Sequence, residues 1–464
     1  MDIVVAFEGE GSGIAELTWG QRDVWDLMRR TGRTMNIGGT VPAAPGETVE
    51  HLAALLRFIV GRHQALRTRL VPTEGGPPRQ EVHASGEIVL ECVHAGPDAA
   101  VTAEVLRVRY QTAHFEPFAE WPVRMGVVLD GQTPTHVVLM YYHVLVDGFG
   151  IDAIVRDLAN FDGQGDSGAP VQGVRPLELA AQQQEPAAIR QSEKALRHWE
   201  RQLARIPAIA HRQPLDPGLG QPRHWEVVCE SRALALAVRA IGARTGLASG
   251  PILLAAYANA LARAAGTSTA AIQVVVSNRF RPGFAEAVTS LRQFGICVIE
   301  VAEPAEEAMP FDDVPARNRT AAPSDDVAAQ AWRAVPFDDV AARAWAAMLG
   351  AFKHGYFDPA GLPAIAEPAC VLNDRRRAVD DTDGQVPTAA EIRTARMDTS
   401  VRWGVREATY DATFYLHLED EPGRIVYTLW GDTHRYAPEV IDRCARDLEA
   451  AVIDAALAPA TVDA

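Results

Sequence analysis

The apolar run that ends at His143 restricts the fold of this chain more than any other feature. Residues 137–142 are apolar and rich in β-branched and aromatic side chains, which predicts a buried strand. The turn-forming pair Asp147-Gly148 follows, and the amphipathic stretch 151–158 then predicts a helix. A strand that leaves the core at a histidine and turns into a helix would hold that imidazole rigidly where substrate can reach it.

The residue types in this loop fit proton transfer. A neutral imidazole is the side chain best matched to accepting a proton near neutral pH, so His143 is the candidate base. Asp147 could pair with a cation and fix the loop, and Gly148 would permit the turn. The spacing alone is equally consistent with a histidine that only caps a strand.

The stretch resembles the active-site motif of nonribosomal peptide synthetase condensation domains, which usually reads His-His-x-x-x-Asp-Gly. Further segments similar to the family follow in its usual order. They are Leu17–Trp25, Arg62–Leu70, Phe115–Pro117 with Pro122–Arg124, Ser277–Arg279 with Phe294-Gly295, and Asp432–Tyr436. The resemblance extends over residues 14–457, nearly the whole chain.

Three departures from the family pattern stand out. Tyr142 occupies the position of the family's first histidine, although the second histidine carries the chemistry. The Asn that usually follows the Phe294-Gly295 position is absent, and residues 176–200 contain no convincing counterpart of the family's Tyr-x-Asp-Phe-Ala segment. The sequence therefore predicts a specialised or divergent member.

The resemblance implies an α+β fold with mixed, largely antiparallel sheets and helices. It implies two chloramphenicol-acetyltransferase-like lobes in a V shape, with the active site between them. The segment 161–170 is rich in Gly, Asp and Ser and is the predicted linker, so we expect an N-terminal lobe over 1–165 and a C-terminal lobe over 166–464.

Periodicity predicts the main elements independently of the resemblance. The predicted helices are 18–29, 48–63, 191–204, 251–265, 341–352 and 438–457. The predicted strands are 87–94, 122–130, 137–142, 271–277 and 295–301, with 410–417 and 424–430 as a pair.

The resemblance also implies the chemistry, which is amide or ester formation from a carrier-bound thioester. His143 would accept the proton of the attacking amine or hold the tetrahedral intermediate by hydrogen bonding, and both roles stay open. Asp147 would orient the loop by pairing with Arg279, and Gly148 would supply a backbone N–H and room for the pantetheine arm. Tyr142 and Phe149 are the predicted substrate contacts, and Arg22 joins Arg279 as a supporting residue.

The resemblance implies no intrinsic cofactor, because the phosphopantetheine arm belongs to a partner acyl or peptidyl carrier protein. The acceptor would be an amine or alcohol, carrier-bound or soluble. The alternative is a catalytically degenerate domain that recruits carrier proteins or tailoring enzymes. A net charge of −16 argues against nucleic acid as a partner, and an acidic carrier would need a local basic patch. The candidate patches are 22–33 and 375–377, although scattered surface charge explains both as simply.

Five widely spaced cysteines, with no Cys-x-x-Cys or Cys/His cluster, predict no disulfide framework and no metal site. A reducing cytoplasm is the expected compartment. The N-terminus lacks the pattern of a signal peptide, and no apolar run reaches about 18 residues, so we expect no membrane span.

A tandem repeat of 13 residues occupies 310–348. Its copies begin at Pro310, Pro323 and Pro336, and acidic pairs follow each proline. Proline and then acidic residues favour a helix start, yet only the third copy runs into an amphipathic stretch. We interpret the repeat as neutral length variation; a docking element is the alternative.

Overall fold

The computed structural model describes residues 2–163, 168–206, 220–304, 332–362, 370–376 and 385–458. The chain divides into two compact units. The first unit comprises Met1–Glu193, Ser277–Gln293 and Tyr356–Gly361, and the second comprises Lys194–Val276, Phe294–Gly355 and Leu362–Ala464.

The division differs from the boundary predicted at residue 165. Residues beyond the predicted linker still pack within the first unit, where Val174 and Leu179 join Trp19 in one apolar cluster. The backbone N–H of Trp19 also donates to Oε1 of Gln183 at 2.9 Å. Burial of these side chains ties the segment after the linker to the first unit, which composition alone did not reveal.

The first unit contains one five-stranded sheet and one three-stranded sheet. Its strands are β1 (Asp2–Glu8), β2 (Gly13–Glu16), β3 (Asn36–Pro42), β4 (Thr68–Val71), β5 (Arg79–Val82), β6 (Ser85–His94), β7 (Val123–Asp130) and β8 (Thr133–Tyr142). Its helices are α1 (Trp19–Thr31), α2 (Val49–Arg62), α3 (Ala99–Thr112), α4 (Gly148–Asp157) and α5 (Pro176–Gln183), and α6 (Pro186–Leu203) runs from the first unit into the second. The larger sheet has the order β1-β6-β7-β8-β3, and only β6 and β7 pair in parallel.

The apolar run of β8 lies in a sheet that is covered on both faces. Val137 and Tyr141 belong to the cluster that includes α2, whereas Val138 and Met140 pack against α3. A strand buried on both faces needs apolar residues at successive positions rather than at alternate ones. This burial explains why the run 137–142 is uninterrupted.

The second unit contains a seven-stranded mixed sheet. Its strands are β9 (His224–Ser231), β10 (Thr269–Val276), β11 (Gln293–Glu300), β14 (Cys370–Asp374), β15 (Ser400–Glu407), β16 (Phe414–Glu421) and β17 (Arg424–Asp432), and β12 (Ala302–Pro304) pairs separately with β13 (Trp332–Ala334). Its helices are α7 (Arg232–Thr245), α8 (Ser249–Ala265), α9 (Phe337–Lys353), α10 (Ala389–Arg396) and α11 (Pro438–Leu457). The sheet order is β11-β10-β14-β16-β17-β9-β15.

The predicted elements match this architecture closely. Thr18 and Thr48 cap α1 and α2 through their side chains, as expected for helix starts. The predicted hairpin is confirmed, although β16 begins at Phe414 rather than at residue 410. The α+β class predicted from the sequence is therefore confirmed.

The third copy of the 13-residue repeat forms the start of α9. Pro336 precedes the helix, and Asp338 and Asp339 lie in its first turn, where acidic side chains are favourable. Asp338 also accepts two hydrogen bonds from Arg244, at 2.7 and 2.9 Å. The prolines of the first two copies fall within 305–331, outside the described residues.

All five cysteines carry free thiols. Within the described residues, no group of three or more His, Cys, Asp or Glu side chains is arranged to hold a metal ion. The same residues contain no single helix that is long and apolar enough to cross a membrane, whereas α7 and α8, bent by 112°, pass that test as a pair by length and composition.

Candidate active site

The His143 loop, residues 143–147, connects β8 to α4. The backbone N–H of Leu145 donates to the carbonyl oxygen of Tyr142 at 2.9 Å, which begins the turn. Asp147 is the N-cap of α4, and its Oδ1 accepts from the backbone N–H of Gly150 at 2.8 Å. The strand, turn and helix predicted around His143 are confirmed.

A hydrogen bond within the loop fixes the imidazole of His143. Nδ1 lies 3.0 Å from the carbonyl oxygen of Val146. A carbonyl oxygen can only accept, so Nδ1 carries the hydrogen in the neutral ring and Nε2 keeps its lone pair. The hydroxyl of Ser290 donates to the carbonyl oxygen of His143, which ties the same residue to a neighbouring segment.

The surroundings of His143 keep its imidazole neutral. Burial lowers the pKa of His143, and the positive charge of Arg292 lowers it further, to about 4. The hydrogen bond to Val146 and the negative charge of Asp147 act in the opposite direction. The ring is therefore neutral at physiological pH and can accept a proton at Nε2.

Asp147 is held by an ion pair with Arg279, as the sequence predicted. The Asp147 and Arg279 side chains are only 4% and 9% exposed. The second carboxylate oxygen of Asp147 accepts from the backbone N–H of Leu291 at 2.8 Å. The same guanidinium of Arg279 donates to the carbonyl oxygens of Phe284 at 3.1 Å and Thr289 at 3.0 Å, so one cation connects the loop to two other points of the chain.

The turn before Arg279 depends on the backbone conformation of Asn278. Asn278 has φ 59°, a left-handed conformation that glycine adopts readily and asparagine tolerates. The side-chain Nδ2 of Asn278 donates to the carbonyl oxygen of Leu291 at 3.0 Å and adds a second fastening of the same segment.

The remaining predicted site residues differ in their exposure to solvent and in their contacts. Phe149 is 53% exposed in the first turn of α4, beside Gly148. Tyr142 is only 4% exposed, its ring lies 5.4 Å from that of Phe115, and burial raises its pKa. Arg22 pairs with Asp26 on α1 at 3.7 Å. Substrate contact by Tyr142 or Phe149 and support by Arg22 stay predictions.

Sequence reasoning missed the part of the site that α1 and residues 289–292 supply. Asp23 lies 3.1 Å from Arg292, and both side chains are largely buried. Gln21 donates to the hydroxyl of Thr289 at 3.2 Å. These contacts join residues more than 260 positions apart, and no local sequence pattern predicts such a contact. The sequence showed only that α1 carries polar side chains on its buried face.

The predicted basic patch at 375–377 is partly neutralised. Arg375 lies 3.3 Å from Glu419, and Arg376 lies 2.7 Å from Asp374. Arg377 lies outside the described residues. Neighbouring carboxylates therefore reduce the positive charge that this segment presents.

The profile of the condensation domain family matches residues 14–289, more than half of the chain. The chain belongs to the condensation domain family. The matched range includes His143 and Asp147 of the His143 loop and also Arg279, which pairs with Asp147. The membership predicted from the ordered motifs is confirmed.

Curated relatives of this condensation domain are nonribosomal peptide synthetases. The phosphinothricin tripeptide synthetase PhsC of Streptomyces viridochromogenes is 25% identical over 66% of this chain and 30% of its own length. The probable non-canonical synthetase CymA of Salinispora arenicola is 30% identical over 31% of this chain and 2% of its own length. The chain thus spans less than a third of the length of these relatives.

Solved structures share the fold of this condensation domain. The condensation domain that mediates chain release from the enacyloxin polyketide synthase has a TM-score of 0.66 and 18% identity, covering 97% of this chain and 84% of that one. The teicoplanin X-domain in complex with OxyB has a TM-score of 0.68 and 17% identity, with coverage of 97% and 95%. At such identities the likeness establishes the fold alone.

Proposed function

We propose that this condensation domain is an active acyltransferase that joins a carrier-bound acyl or peptidyl thioester to an amine or hydroxyl acceptor. The carrying observation is the hydrogen bond from Nδ1 of His143 to the carbonyl oxygen of Val146, which leaves the Nε2 lone pair available. Membership of the condensation domain family supports a role in nonribosomal peptide synthesis, where such domains work with carriers that bear phosphopantetheine.

The proposed reaction needs one base and no redox change. The acceptor nitrogen or oxygen attacks the thioester carbonyl, and Nε2 of His143 takes the proton that the nucleophile loses. The tetrahedral intermediate then expels the pantetheine sulfur, and the proton returns from Nε2 to that sulfur. The products are an amide or ester and a free thiol, and His143 is neutral again.

The low basicity of His143 suits this sequence of steps. A ring with a pKa of about 4 is almost entirely unprotonated near neutral pH, so the base is always available. A weakly basic ring also returns the proton readily to the leaving sulfur. A hydrogen bond from the same nitrogen to the intermediate stays an alternative use of this geometry.

The other predicted residues receive supporting roles in this proposal. Asp147 orients the loop through Arg279, and Gly148 provides an open backbone position at the start of α4 for the pantetheine arm. Phe149 offers exposed apolar surface to the substrate. Tyr142, buried against Phe115, would shape the site from within the core.

The partner in this proposal is an acyl or peptidyl carrier protein. The net charge of −16 requires that an acidic carrier dock at a local basic surface, and α1 carries the exposed Arg29 and Arg30. Free thiols, four of the five buried, fit a reducing cytoplasm as the compartment.

A recruiting domain without catalysis is the second candidate. Tyr142 replaces the family's first histidine, and its burial removes that position from proton transfer. The teicoplanin X-domain, which is similar in fold, is found in complex with OxyB. A domain of this kind would bind a carrier or a tailoring enzyme and form no bond.

The decisive experiment replaces His143 by Ala and measures product from a panel of acyl carrier-protein thioesters with amine and alcohol acceptors. We expect at least a hundredfold loss of product, the usual contribution of a positioned acid–base group. His136→Ala is the matched control, because His136 lies on the same strand with its Nδ1 near Thr135. Equal product from wild type and His143→Ala would exclude His143 from the mechanism. Carrier binding by wild type without any product would favour the recruiting domain.

A further inference from the structure

Two imidazole rings of the second unit lie face to face where α6 meets α9. The ring centroids of His198 and His354 are 4.4 Å apart, and the ring planes differ by 20°. His198 lies on α6, whereas His354 is the C-cap of α9, and its backbone N–H donates to the carbonyl oxygen of Gly350. A Cβ at Gly350 would lie 3.4 Å from Cε1 of His198, so this ring packs directly on the backbone of α9.

The pair contains two buried polar atoms whose hydrogen-bonding capacity is unused. Within the described residues, Nε2 of His198 and Nδ1 of His354 have no hydrogen-bond partner although both atoms are buried. His354 as a whole is only 8% exposed. Buried polar atoms in native proteins normally bond to protein, to water or to an ion. The two nitrogens therefore point to a small polar ligand at this place.

Exposed cations lie next to the pair on both helices. Lys194 precedes His198 by four positions on α6 and Arg201 follows it by three, and such spacings place side chains on one face of a helix. Lys353 directly precedes His354, and these two lysines are the only ones in a chain with 44 lysines and arginines. Burial, then His198 and then these three cations lower the pKa of His354 to about 4, which agrees with their proximity.

Helix ends explain this cluster only in part. Cations are favourable at the C-terminal end of a helix, which accounts for Arg201 and Lys353 in the last turns of α6 and α9. Lys194 lies in the middle of α6, and within the part of the chain that the structure describes neither Lys194 nor Arg201 forms an ion pair with a carboxylate. The same charges disfavour a metal cation. The ligand that fits this place is therefore an anion.

We propose that His198 and His354 are hydrogen-bond donors of a site for a tetrahedral oxyanion, that is, a sulfate or phosphate group. Lys194, Arg201 and Lys353 supply its positive charge. A neutral imidazole offers one N–H, and ammonium and guanidinium groups form the stronger, charge-assisted bonds to oxyanions. The site concerns the second unit alone, so the inference holds whether or not the domain forms bonds.

The small number of lysines makes the test direct. In the full chain labelled with ¹³C at lysine Cε, each of the two lysines gives one NMR signal, and Lys194→Arg assigns them. Sulfate is the probe, because it stays doubly charged over the whole range from mildly acidic to mildly alkaline pH. At constant ionic strength we expect both lysine signals to shift saturably and with one common dissociation constant.

Variants then separate the site from general surface charge. His354→Phe keeps a ring for stacking but removes the donor, and it should weaken sulfate binding at least about tenfold. Lys194→Gln should weaken binding at least about threefold, read from the signal of Lys353, whereas Lys194→Arg should bind nearly as wild type. Arg393→Gln removes an exposed cation of α10 in the same unit and should leave the affinity unchanged.

Lysine signals that move only in proportion to added sulfate, as screening would produce, would overturn the inference. An equal loss of affinity in Arg393→Gln and His354→Phe would overturn it as well. If His354→Phe does not fold, the exposed variant Lys194→Gln decides, because unchanged affinity there contradicts the site. Inorganic phosphate and methyl phosphate then identify the source: tighter binding of the first supports a site for the free oxyanion, and tighter binding of the second supports one for an ester-linked phosphate group.

Discussion

Among the described residues, a strand turns towards a helix at a buried aspartate in each unit, and the two places differ in what the aspartate holds. The first corner is residues 142–150, between β8 and α4, where Asp147 pairs with Arg279. The second corner is residues 431–438, between β17 and α11, where Asp432 accepts from Nε of Arg223 at 2.8 Å. At both corners a buried aspartate pairs with an arginine, so such a pair fastens a strand end in each unit.

The histidine distinguishes the corners. His143 precedes its aspartate by four positions, and a carbonyl oxygen of the loop fixes its ring. His434 follows Asp432 by two positions, and the contact between them is the backbone N–H of His434 donating to Oδ1 at 3.0 Å. Asp147 also caps α4, whereas α11 starts at Pro438 without a side-chain cap. A fixed imidazole, rather than a buried aspartate, therefore distinguishes the first corner from the second.

The two corners should differ most in the loss of stability that follows when the aspartate is replaced. Asp147→Ala leaves the nearly buried guanidinium of Arg279 uncompensated, and we expect a loss of about 3–5 kcal/mol in the free energy of unfolding. Asp432→Ala should cost somewhat less, about 2–4 kcal/mol, because Arg223 is 36% exposed and can be rehydrated, although the largely buried Arg435, 3.5 Å from the same carboxylate, also loses a counter-charge. Urea unfolding of both variants measures the difference.

Two further variants test the assignment of roles at the corners. Asp147→Ala combined with Arg279→Met should recover much of the lost stability, because no unpaired charge remains. Asp147→Asn should reduce product formation in the folded protein, whereas Asp432→Asn should leave the folded protein active. Equal costs at the two corners, or equal effects on product, would mean that the first corner is no more than a structural fastening.

Acidification should destabilise both units through buried histidines. The pKa of His143 in the first unit is lowered to about 4 by burial and Arg292, and that of His354 in the second unit is lowered to about 4 by burial, His198 and nearby cations. An unfolded chain with pKa near 6.5 binds protons that the folded chain does not bind, so folding is favoured above pH 6.5 and loses this contribution between pH 6.5 and about 4.

Each of these histidines should contribute up to about 3 kcal/mol to the fall in the free energy of unfolding over that interval. His143→Gln and His354→Gln should each flatten the dependence, and the double variant should flatten it further. Chemical unfolding at a series of pH values provides the measurement. A pH dependence that neither substitution changes would show that both rings are protonated alike in the folded and unfolded chains.

The sequence predicted the fold well where burial leaves a periodic trace. The uninterrupted apolar run of β8, the helices predicted at 18–29 and 48–63 and the final helix from Pro438 were all visible without coordinates. The division into units was not visible, because it depends on which surface residues 174–188 cover, and composition marks only the flexible stretch before them.

The same contrast applies to the candidate site. His143 and Asp147 lie within one loop, so their relation followed from spacing, and the pairing of Asp147 with Arg279 followed from the resemblance. Asp23 and Arg292 meet only through the fold, and neither lies in a pattern that predicts the contact. Sequence reasoning identified the candidate base, whereas the contact between Asp23 and Arg292 required the three-dimensional arrangement.

The smallest expected effects come from residues beside the corners whose backbone adopts the left-handed conformation. Asn278 has φ 59° near the first corner, and Gly220 has φ 76° near the second. Asn278→Ala should cost about 1–2 kcal/mol, because a Cβ without a polar side chain is strained in this conformation and the bond to the carbonyl oxygen of Leu291 is lost. Gly220→Ala should cost at least as much, since its Cβ would lie 2.4 Å from the Thr433 hydroxyl.

At the first corner, Asn278→Gly separates the contribution of backbone strain from that of the hydrogen bond to Leu291. Glycine relieves the backbone strain but cannot donate to Leu291, so a stability between those of wild type and Asn278→Ala is expected in urea unfolding. The position of the His143 loop depends on the segment that this bond fastens, so product formation should fall in Asn278→Ala more than in Gly220→Ala at equal folded fraction. If the two variants lost product equally, the strain at the first corner would have no special connection to His143.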